Sequence, residues 1–261
     1  MISAQCKVLG IARSSYYASS RKKLTCKASL EADIARLFFR SKKAYGARRI
    51  KDDLSDEGKI VSRRRVTRII NKLDLVSTHC KSVYKRPKEQ TAESSCPDLL
   101  EQNFSSEAPR YAFVGDLTYV RVGARWAYVC VLLDLYNREI VGYATGPNKD
   151  AKLLQRAFAS FKGDLREVSI YHLDRGSENV NQTIDRLLAA FGIKSSLSRK
   201  GNSHDNAVAE SVIKTLKKEF VYQESFATLQ DLQVKIAGYI WWYNNERKHS
   251  SLGYVAPRQY A

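Results

Sequence analysis

Five apolar, strand-like segments constrain the fold of this chain more than any other feature. They lie near residues 111–121, 126–135, 138–145, 167–173 and 194–198. The first three follow one another as a strand meander, whereas the last two alternate with segments of helical periodicity. This order predicts an α/β unit built on a mixed five-stranded sheet with flanking helices. The helices of this unit are expected near 150–162, 181–192, 205–221 and 227–247.

The residues before this unit have a helical pattern and a strong positive charge. Helices are expected near 29–41, 47–57 and 63–73, with Gly58 ending the second and Ser62 as the N-cap of the third. Two short helices around a tight turn indicate a helix-turn-helix-like unit. A three-helix spacer with a solvated basic surface is the alternative. The outer surface of the third helix carries Arg63, Arg64, Arg65 and Arg68.

The charge distribution indicates a polyanionic partner. The chain has 261 residues and a net charge of +17, with 44 Lys+Arg and 27 Asp+Glu. Residues 1–90 contain 23 basic and 8 acidic side chains, a net of +15, which leaves 21 and 19, a net of +2, for residues 91–261. A concentration of cations in one region is typical of proteins that bind nucleic acid.

Three acidic residues on different predicted elements are candidates for catalysis. Asp116 lies in the first strand, Asp174 ends the fourth, and Glu210 lies on the helix near 205–221. Two carboxylates about 4 Å apart repel by about 4 kcal/mol at an effective dielectric of 20, so such a cluster needs cations to stay ionised. A two-cation site for phosphodiester chemistry fits this set. Taken singly, these residues also suit a strand edge, an Asp turn and an exposed helix position.

The sequence around these acids resembles a known family. The segments that carry the resemblance are Asp116-Leu-Thr-Tyr119, Leu133-Asp-Leu-Tyr-Asn-Arg-Glu-Ile-Val-Gly142, Asp174-Arg-Gly-Ser177, Ser196-Leu-Ser-Arg-Lys-Gly-Asn-Ser-His-Asp-Asn-Ala207, Glu210-Ser211 and Tyr243-Asn-Asn-Glu-Arg-Lys-His-Ser-Ser-Leu-Gly-Tyr254. In this order they resemble the DDE transposases of bacterial insertion sequences. The resemblance is to the second-frame protein of the two-frame family, whose catalytic domain is akin to retroviral integrase. The family has Ser where this chain has Leu173, and Gln-Tyr where it has Glu178-Asn179.

The resemblance implies a ribonuclease H-like core and metal-dependent DNA strand cleavage and strand transfer. It implies that Asp116 bridges two Mg²⁺ ions, that Asp174 holds one and that Glu210 holds the other, with Mn²⁺ as a substitute. The expected domains are a helix-turn-helix-like region at 1–75, a linker at 76–108, the catalytic core at 109–225, and a C-terminal helix and basic tail at 226–261. Candidate DNA contacts are Arg63, Arg64, Arg65, Arg68, Lys200, Asn206, Lys214, Lys217, Arg247 and His249.

The expected partners are the terminal inverted repeats of an insertion sequence, target DNA and further copies of the same chain. An upstream-frame protein, joined by frameshifting, is a further expected partner. Two other functions stay open: a transposon-derived, non-catalytic DNA-binding regulator, and a nuclease that hydrolyses DNA without joining it. The three candidate carboxylates argue against the first, and the basic N-terminal region argues against the second.

Several other classes of protein are disfavoured. The five cysteines form no C-x-x-C pair, which argues against a zinc ribbon or a disulfide framework. Apolar runs of about eight residues are far shorter than the roughly 20 needed to span a bilayer. No signal-peptide pattern opens the sequence, and a bacterial cytoplasmic location, with nucleoid association on DNA, is expected.

Overall fold

The computed structural model describes residues 2–80, 97–100, 103–104, 106, 108–174, 182–199 and 203–260. The chain divides into two compact units, Met1–Ser82 and Val83–Ala261. The first unit is helical and the second contains the sheet, as the sequence predicted. None of the helices in the described residues is long and apolar enough to cross a membrane.

The first unit consists of four helices. They are α1 (Ile2–Val8), α2 (Arg13–Arg40), α3 (Ala47–Asp56) and α4 (Arg63–Lys72). The helix expected near 29–41 is the second half of the longer α2, because residues 13–40 contain no Gly or Pro to end it. Its apolar periodicity is clear only in the part that packs on α3 and α4.

The turn between α3 and α4 has the predicted chemistry. Gly58 adopts a left-handed conformation with φ of 74°, and the Ser62 hydroxyl accepts a hydrogen bond from the Arg65 backbone N–H. Two ion pairs attach this turn to α2. Arg36 of α2 lies 2.7 Å from Glu57, and Lys59 of the turn lies 2.6 Å from Asp33 of α2. The unit is stabilised by an apolar core to which α2, α3 and α4 contribute, and which contains Ile34, Leu37, Ile50, Leu54 and Val66.

The predicted linker at 76–108 is only partly a connection. The Thr78 backbone N–H bonds to the Lys43 carbonyl of the first unit. Pro97 lies in the second unit, where its carbonyl accepts a 3.1 Å hydrogen bond from the Leu197 N–H. Both ends of the segment are therefore attached to folded structure, and residues 81–96 lie outside the described part of the chain.

The sheet has five strands in the order β3-β2-β1-β4-β5. The strands are β1 (Ala112–Val122), β2 (Arg125–Asp134), β3 (Ile140–Gly146), β4 (Ile170–Leu173) and β5 (Lys194–Leu197). β1 pairs antiparallel with β2 and parallel with β4. The central strand is therefore β1, which has a partner strand on each side. The mixed five-stranded sheet predicted from the sequence is confirmed.

Helices α5 (Ala151–Ala159) and α6 (Gln182–Phe191) contribute to a large apolar core with the sheet. This core includes Phe113, Leu132, Phe158, Tyr171 and Leu188, all nearly inaccessible to water. Two further helices, α7 (Ala207–Leu216) and α8 (Leu229–Asn245), pack on β1 and β3 respectively. The expected helix near 205–221 is interrupted, because α7 passes into a π-helical turn at Lys217–Val221.

The C-terminal residues are fastened to the sheet unit by two buried polar contacts. Asn244 of α8 exchanges two 2.9 Å hydrogen bonds with the backbone of Ile140. Arg247, 3% exposed, forms a two-pronged ion pair of 2.7 and 2.8 Å with Glu219 of the π turn. Burial alone would lower the pKa of Arg247, but the hydrogen bonds and charge of Glu219 raise it above its ordinary value. The Arg247 guanidinium is therefore enclosed and its charge is neutralised by Glu219. A DNA contact by Arg247 stays a prediction.

We expect Arg247→Met to lower the free energy of unfolding by about 3–5 kcal/mol, because it leaves the Glu219 carboxylate buried without its cation. Chemical denaturation of the purified chain measures this loss. Arg258→Ala is the matched control: its 2.6 Å pair with Glu139 is half-exposed, and its removal should cost about 1 kcal/mol or less.

The double variant Glu219→Leu, Arg247→Met should lose less stability than Arg247→Met alone, since no charge is left buried. Equal losses for Arg247→Met and Arg258→Ala would show that the buried pair does not stabilise the C-terminal segment.

Candidate active site

Asp116 and Asp174 are brought together by the parallel pairing of β1 with β4. The paired residues run from Ala112 opposite Ile170 to Val114 opposite His172. Two residues further along the same register, Asp116 is level with Asp174. Neighbouring strands lie about 4.8 Å apart, and side chains at matched positions of parallel strands point to the same face. The two carboxylates therefore stand side by side at the end of β4.

A buried tyrosine lies behind this pair. Burial raises the pKa of the Tyr171 hydroxyl well above its ordinary value, and the charges of Cys130, Asp174 and Asp116 raise it further. The ring occupies space beside Gly115, where a Cβ atom would lie 2.9 Å from Tyr171 Cζ. Glycine is thus required directly before Asp116 because the tyrosine takes the place of a side chain.

Glu210 is positioned by the path of residues 205–226, which three contacts fix relative to β1. At its start, Asp205 lies near His172, the partner of Val114 in the sheet, and its backbone and charge act against the lowering of the His172 pKa. Further along, Lys217 Nζ lies 4.8 Å from the centre of the Tyr119 ring. At its end, the carbonyl of Phe226 accepts a 2.8 Å hydrogen bond from the N–H of Gly123. The segment therefore runs beside β1 in the same direction.

The lengths of the two elements place Glu210 at the level of Asp116. From Asp205 to Lys217 a helix rises about 18 Å, and from Val114 to Tyr119 a strand extends about 17 Å. Glu210 lies about 7.5 Å along the first path, and Asp116 lies about 7 Å along the second. By this estimate, and since α7 packs on β1, the half-buried Glu210 lies near the level of Asp116. Within the described residues, the acids whose ligand oxygens all lie within 4.8 Å of one another are Asp52, Asp53 and Asp56 of α3.

A buried polar network supports β4, the strand that Asp174 directly follows. The ring nitrogens of His172 lie 2.8 Å from the Ser196 hydroxyl and 3.1 Å from the Ser198 hydroxyl. Burial lowers the pKa of His172, and the charges of Asp98 and Asp205 oppose that shift. Hydrogen bonds at both ring nitrogens fix the histidine between β4 and β5, so it acts as a structural support for the strand.

Comparison with known proteins identifies the family of this chain. Models described as integrase core domain match residues 106–203 and 191–257, and a model described as HTH-like domain matches residues 26–83. The insertion element IS600 uncharacterized 31 kDa protein of Shigella sonnei is 35% identical, over 97% of this chain and 95% of that protein. This chain belongs to the DDE transposases of bacterial insertion sequences.

Other transposases match over similar lengths. The transposase for insertion sequence element IS904 of Lactococcus lactis is 33% identical over 88% of this chain and 92% of its own length. Transposase InsF for insertion sequence IS3A of Escherichia coli is 28% identical over 99% of this chain and 93% of its own length. Among solved structures, the HTLV-2 integrase catalytic core domain in complex with magnesium is 14% identical, with a TM-score of 0.46, over 59% of this chain and 97% of that one.

The DNA contacts predicted for the transposase lie on both of its units. On the first, the four arginines of α4 are exposed, as expected. On the second, Lys214 is exposed one turn beyond Glu210, and Lys217 lies over Tyr119. Lys200 and residues 175–181 lie outside the described part of the chain.

Two further predicted contacts differ in their surroundings. Asn206, the N-cap residue directly before α7, is 4% exposed, yet its side chain makes no capping hydrogen bond. Its Oδ1 has no hydrogen-bond partner in the described residues. His249 is half-buried, 3.0 Å from the Arg247 guanidinium and edge-on to the Tyr243 ring. The DNA contacts of Asn206 and His249 stay predictions.

Several supporting residues could not be found from motifs alone. Asp98 lies in a stretch without periodicity, although its 5% exposed side chain is beside both His172 and Arg199. Tyr171 lies in an apolar strand and belongs to no motif. The one sequence signal for it is Gly115, which leaves space for a bulky neighbour directly before Asp116. Asp134 supports the turn after β2, because its carboxylate accepts hydrogen bonds from the backbone N–H groups of Arg110 and Tyr136.

We expect Gly115→Ala to lower stability by about 1–3 kcal/mol, because the new methyl group would overlap the Tyr171 ring. Strand-transfer activity should fall with it, since Asp116 is the next residue. Gly238→Ala is the control: a Cβ there meets nothing within 4 Å, and alanine should stabilise α8 by up to about 1 kcal/mol.

Tyr171→Phe removes the atom closest to the new methyl group, a hydroxyl with no hydrogen-bond partner in the described residues. Combined with Gly115→Ala, it should restore part of the lost stability. If thermal unfolding shows no difference between Gly115→Ala and Gly238→Ala, the close approach of Tyr171 does not constrain this strand.

Proposed function

We propose that Asp116, Asp174 and Glu210 together hold two divalent cations, and that the transposase cuts and joins DNA strands at this site. The observation that supports the proposal is that Asp116 lies on β1, that Asp174 directly follows β4, the parallel partner of β1, and that Glu210 lies on α7, which packs on β1. Each comes from a different element, so the site depends on the folded unit and on no local motif.

The donor set fits Mg²⁺ with Mn²⁺ as a substitute. All three candidate ligands are carboxylates, and these cations prefer carboxylate oxygen and keep several coordination positions for water or phosphate. When bound, the two ions would activate the attacking oxygen and stabilise the leaving one. Asp116, Asp174 and Glu210 would supply the carboxylate oxygens that hold these ions.

The remaining groups of the chain serve to bind and place DNA. The exposed arginines of α4 supply cations on the helix that a helix-turn-helix unit presents to the major groove. Lys214 and Lys217 follow Glu210 at one and two turns on the same helix face, so we expect them to hold phosphates beside the reacting bond. Asn206, at the start of the same helix, would orient the DNA end or Glu210.

An insertion sequence has two ends, and one chain offers a single set of three carboxylates. We therefore propose that two or more copies act together, and that fusion to the upstream-frame protein extends end recognition. The mass of the complex formed on end-bearing duplexes, measured for the isolated chain and for the fusion, tests both statements. A complex with one copy per pair of ends would contradict the first.

Asp116→Asn, Asp174→Asn and Glu210→Gln should each abolish cleavage and joining of a labelled end-bearing oligonucleotide, while DNA binding is retained. Without cations these variants should be no less stable than the parent, because like-charge repulsion is relieved. Mg²⁺ should raise the melting temperature of the parent more than that of each variant, because it binds the folded state.

Asp185→Asn, an exposed change on α6, is the matched control and should behave as the parent. Normal strand transfer by Glu210→Gln would remove Glu210 from the site. Retained cleavage without joining in the parent would identify a nuclease, and neither activity in the parent would favour the regulator.

Replacing the four arginines of α4 with alanine should weaken DNA binding and flatten its dependence on salt. Each lost phosphate contact changes the slope of log K against log salt by about 0.9, so the combined variant should differ by up to about four. Arg166→Ala removes an arginine that is paired with Asp164 on the surface of the second unit and should leave the slope unchanged. An unchanged slope in the α4 variant would mean that this helix carries only a solvated basic surface.

A further inference from the structure

An exposed aromatic and basic surface lies at the end of β1 that is farthest from β4. We name it the hairpin surface; it comprises Tyr119, Arg121, Arg125, Trp126, Lys217 and Tyr222. The Tyr119 and Trp126 rings meet edge to face with 5.2 Å between their centres. Tyr222 follows the π turn, and its pKa is raised by burial and, to a smaller extent, by the neighbouring Tyr119. The two outermost rings, Trp126 and Tyr222, are 51% and 48% exposed.

Cations flank the ring pair on both sides. The Arg121 guanidinium lies 5.3 Å from the Trp126 ring centre, and Lys217 Nζ lies 4.8 Å from that of Tyr119. Contact with the ring faces holds these flexible side chains in place. Within the described residues, neither Arg121 nor Arg125 forms an ion pair, and Arg121 only donates a hydrogen bond to the Gly123 carbonyl. Their charge is therefore available to an anionic partner.

This chemistry fits single-stranded nucleic acid better than a paired duplex. Cations that follow a backbone, together with exposed rings on which bases stack, are the features of single-strand binding surfaces. A paired duplex offers phosphates to the arginines, but its bases are stacked on each other and leave the Trp126 and Tyr222 rings without a partner. The hairpin surface therefore matches a strand whose bases are unpaired.

The distance to the carboxylates tells which part of the DNA would reach this surface. Tyr119 and Arg121 lie three and five residues beyond Asp116 on the same strand, about 10 and 17 Å away. Successive nucleotides of a DNA strand lie about 3.4 Å apart, so these distances correspond to about three and five nucleotides. Lys217 belongs both to this surface and to the helix of Glu210, so the two sites form one continuous path.

We propose that the hairpin surface binds an unpaired stretch of DNA about three to five nucleotides from the phosphodiester that reacts at Asp116. The proposal rests on the proposed function in one respect: the reacting DNA lies at the three carboxylates. It adds that the transposase stabilises opened base pairs beside that bond. Stacking on Trp126 compensates for the lost base pairing, and the arginines hold the separated strand by its phosphates.

Tryptophan fluorescence tests the stacking directly, since the chain has three tryptophans and Trp242 is buried. Trp241→Phe leaves Trp126 as the exposed indole, whereas Trp126→Phe leaves Trp241, which is 58% exposed on α8. Both are made with Asp116→Asn so that the DNA stays intact. The probes are duplexes carrying one end of the element, either fully paired or with a mismatched stretch three to five pairs from the reacting bond.

We expect the mismatched duplex to quench the fluorescence of the Trp241→Phe protein strongly and the paired duplex to quench it weakly. The Trp126→Phe protein should change little with either. Trp126→Ala should weaken binding of the mismatched duplex about tenfold, the size expected for one stacked base, and leave the paired duplex unaffected. Trp241→Ala should bind both as the parent does.

Equal quenching by both duplexes, or an equal loss of affinity for both in Trp126→Ala, would overturn the proposal in favour of a duplex-binding surface. No response of Trp126 to either duplex would overturn it as well. These outcomes are distinguishable from failure of the proposed function, which would show as DNA cleavage by the Asp116→Asn protein with its fluorescence response intact.

Discussion

The parallel pairing of β1 with β4 is the constraint on which the rest of the catalytic unit depends. A one-residue slip in this register would turn Asp174 away from Asp116 and would expose the apolar face that packs on α5 and α6. β1 is held on its other side by ten antiparallel pairs with β2, so its position is fixed before β4 is added. Backbone hydrogen bonds thereby keep two carboxylates adjacent despite their repulsion.

Buried side chains further fix the positions of β1 and β4. Tyr171 fills the space left by Gly115, and the His172 network joins β4 to β5 through two serine hydroxyls. The segment that carries Glu210 lies along β1, where Lys217 contacts Tyr119 and the Phe226 carbonyl bonds to the Gly123 N–H. Rigid placement by several elements is what a site needs when its ligands come from distant parts of the chain.

The sequence predicted the features that depend on local periodicity. Five strands, the helix-turn-helix-like unit and the Ser62 cap follow from apolar spacing and capping chemistry, which neighbouring residues decide. Features that depend on distant partners were missed. Arg247 belonged to a basic, aromatic segment typical of DNA contact, and only the fold shows that Glu219, 28 residues earlier, neutralises it. The π turn that points Glu219 inward and the role of Asp98 have no local signature either.

The ion pair between Glu219 and Arg247 has a consequence for the order in which the protein matures. The ribosome synthesises α7 and the π turn with Glu219 before it reaches Arg247, which neutralises Glu219. In a nascent chain that ends before Arg247, burial of the Glu219 carboxylate is unfavourable because its cation is missing. The π turn that follows the helix bearing Glu210 then lacks this ion pair. Loss of the residues from Arg247 onward should therefore weaken the anchoring of the helix that bears Glu210, even though the sequence of that helix is unchanged.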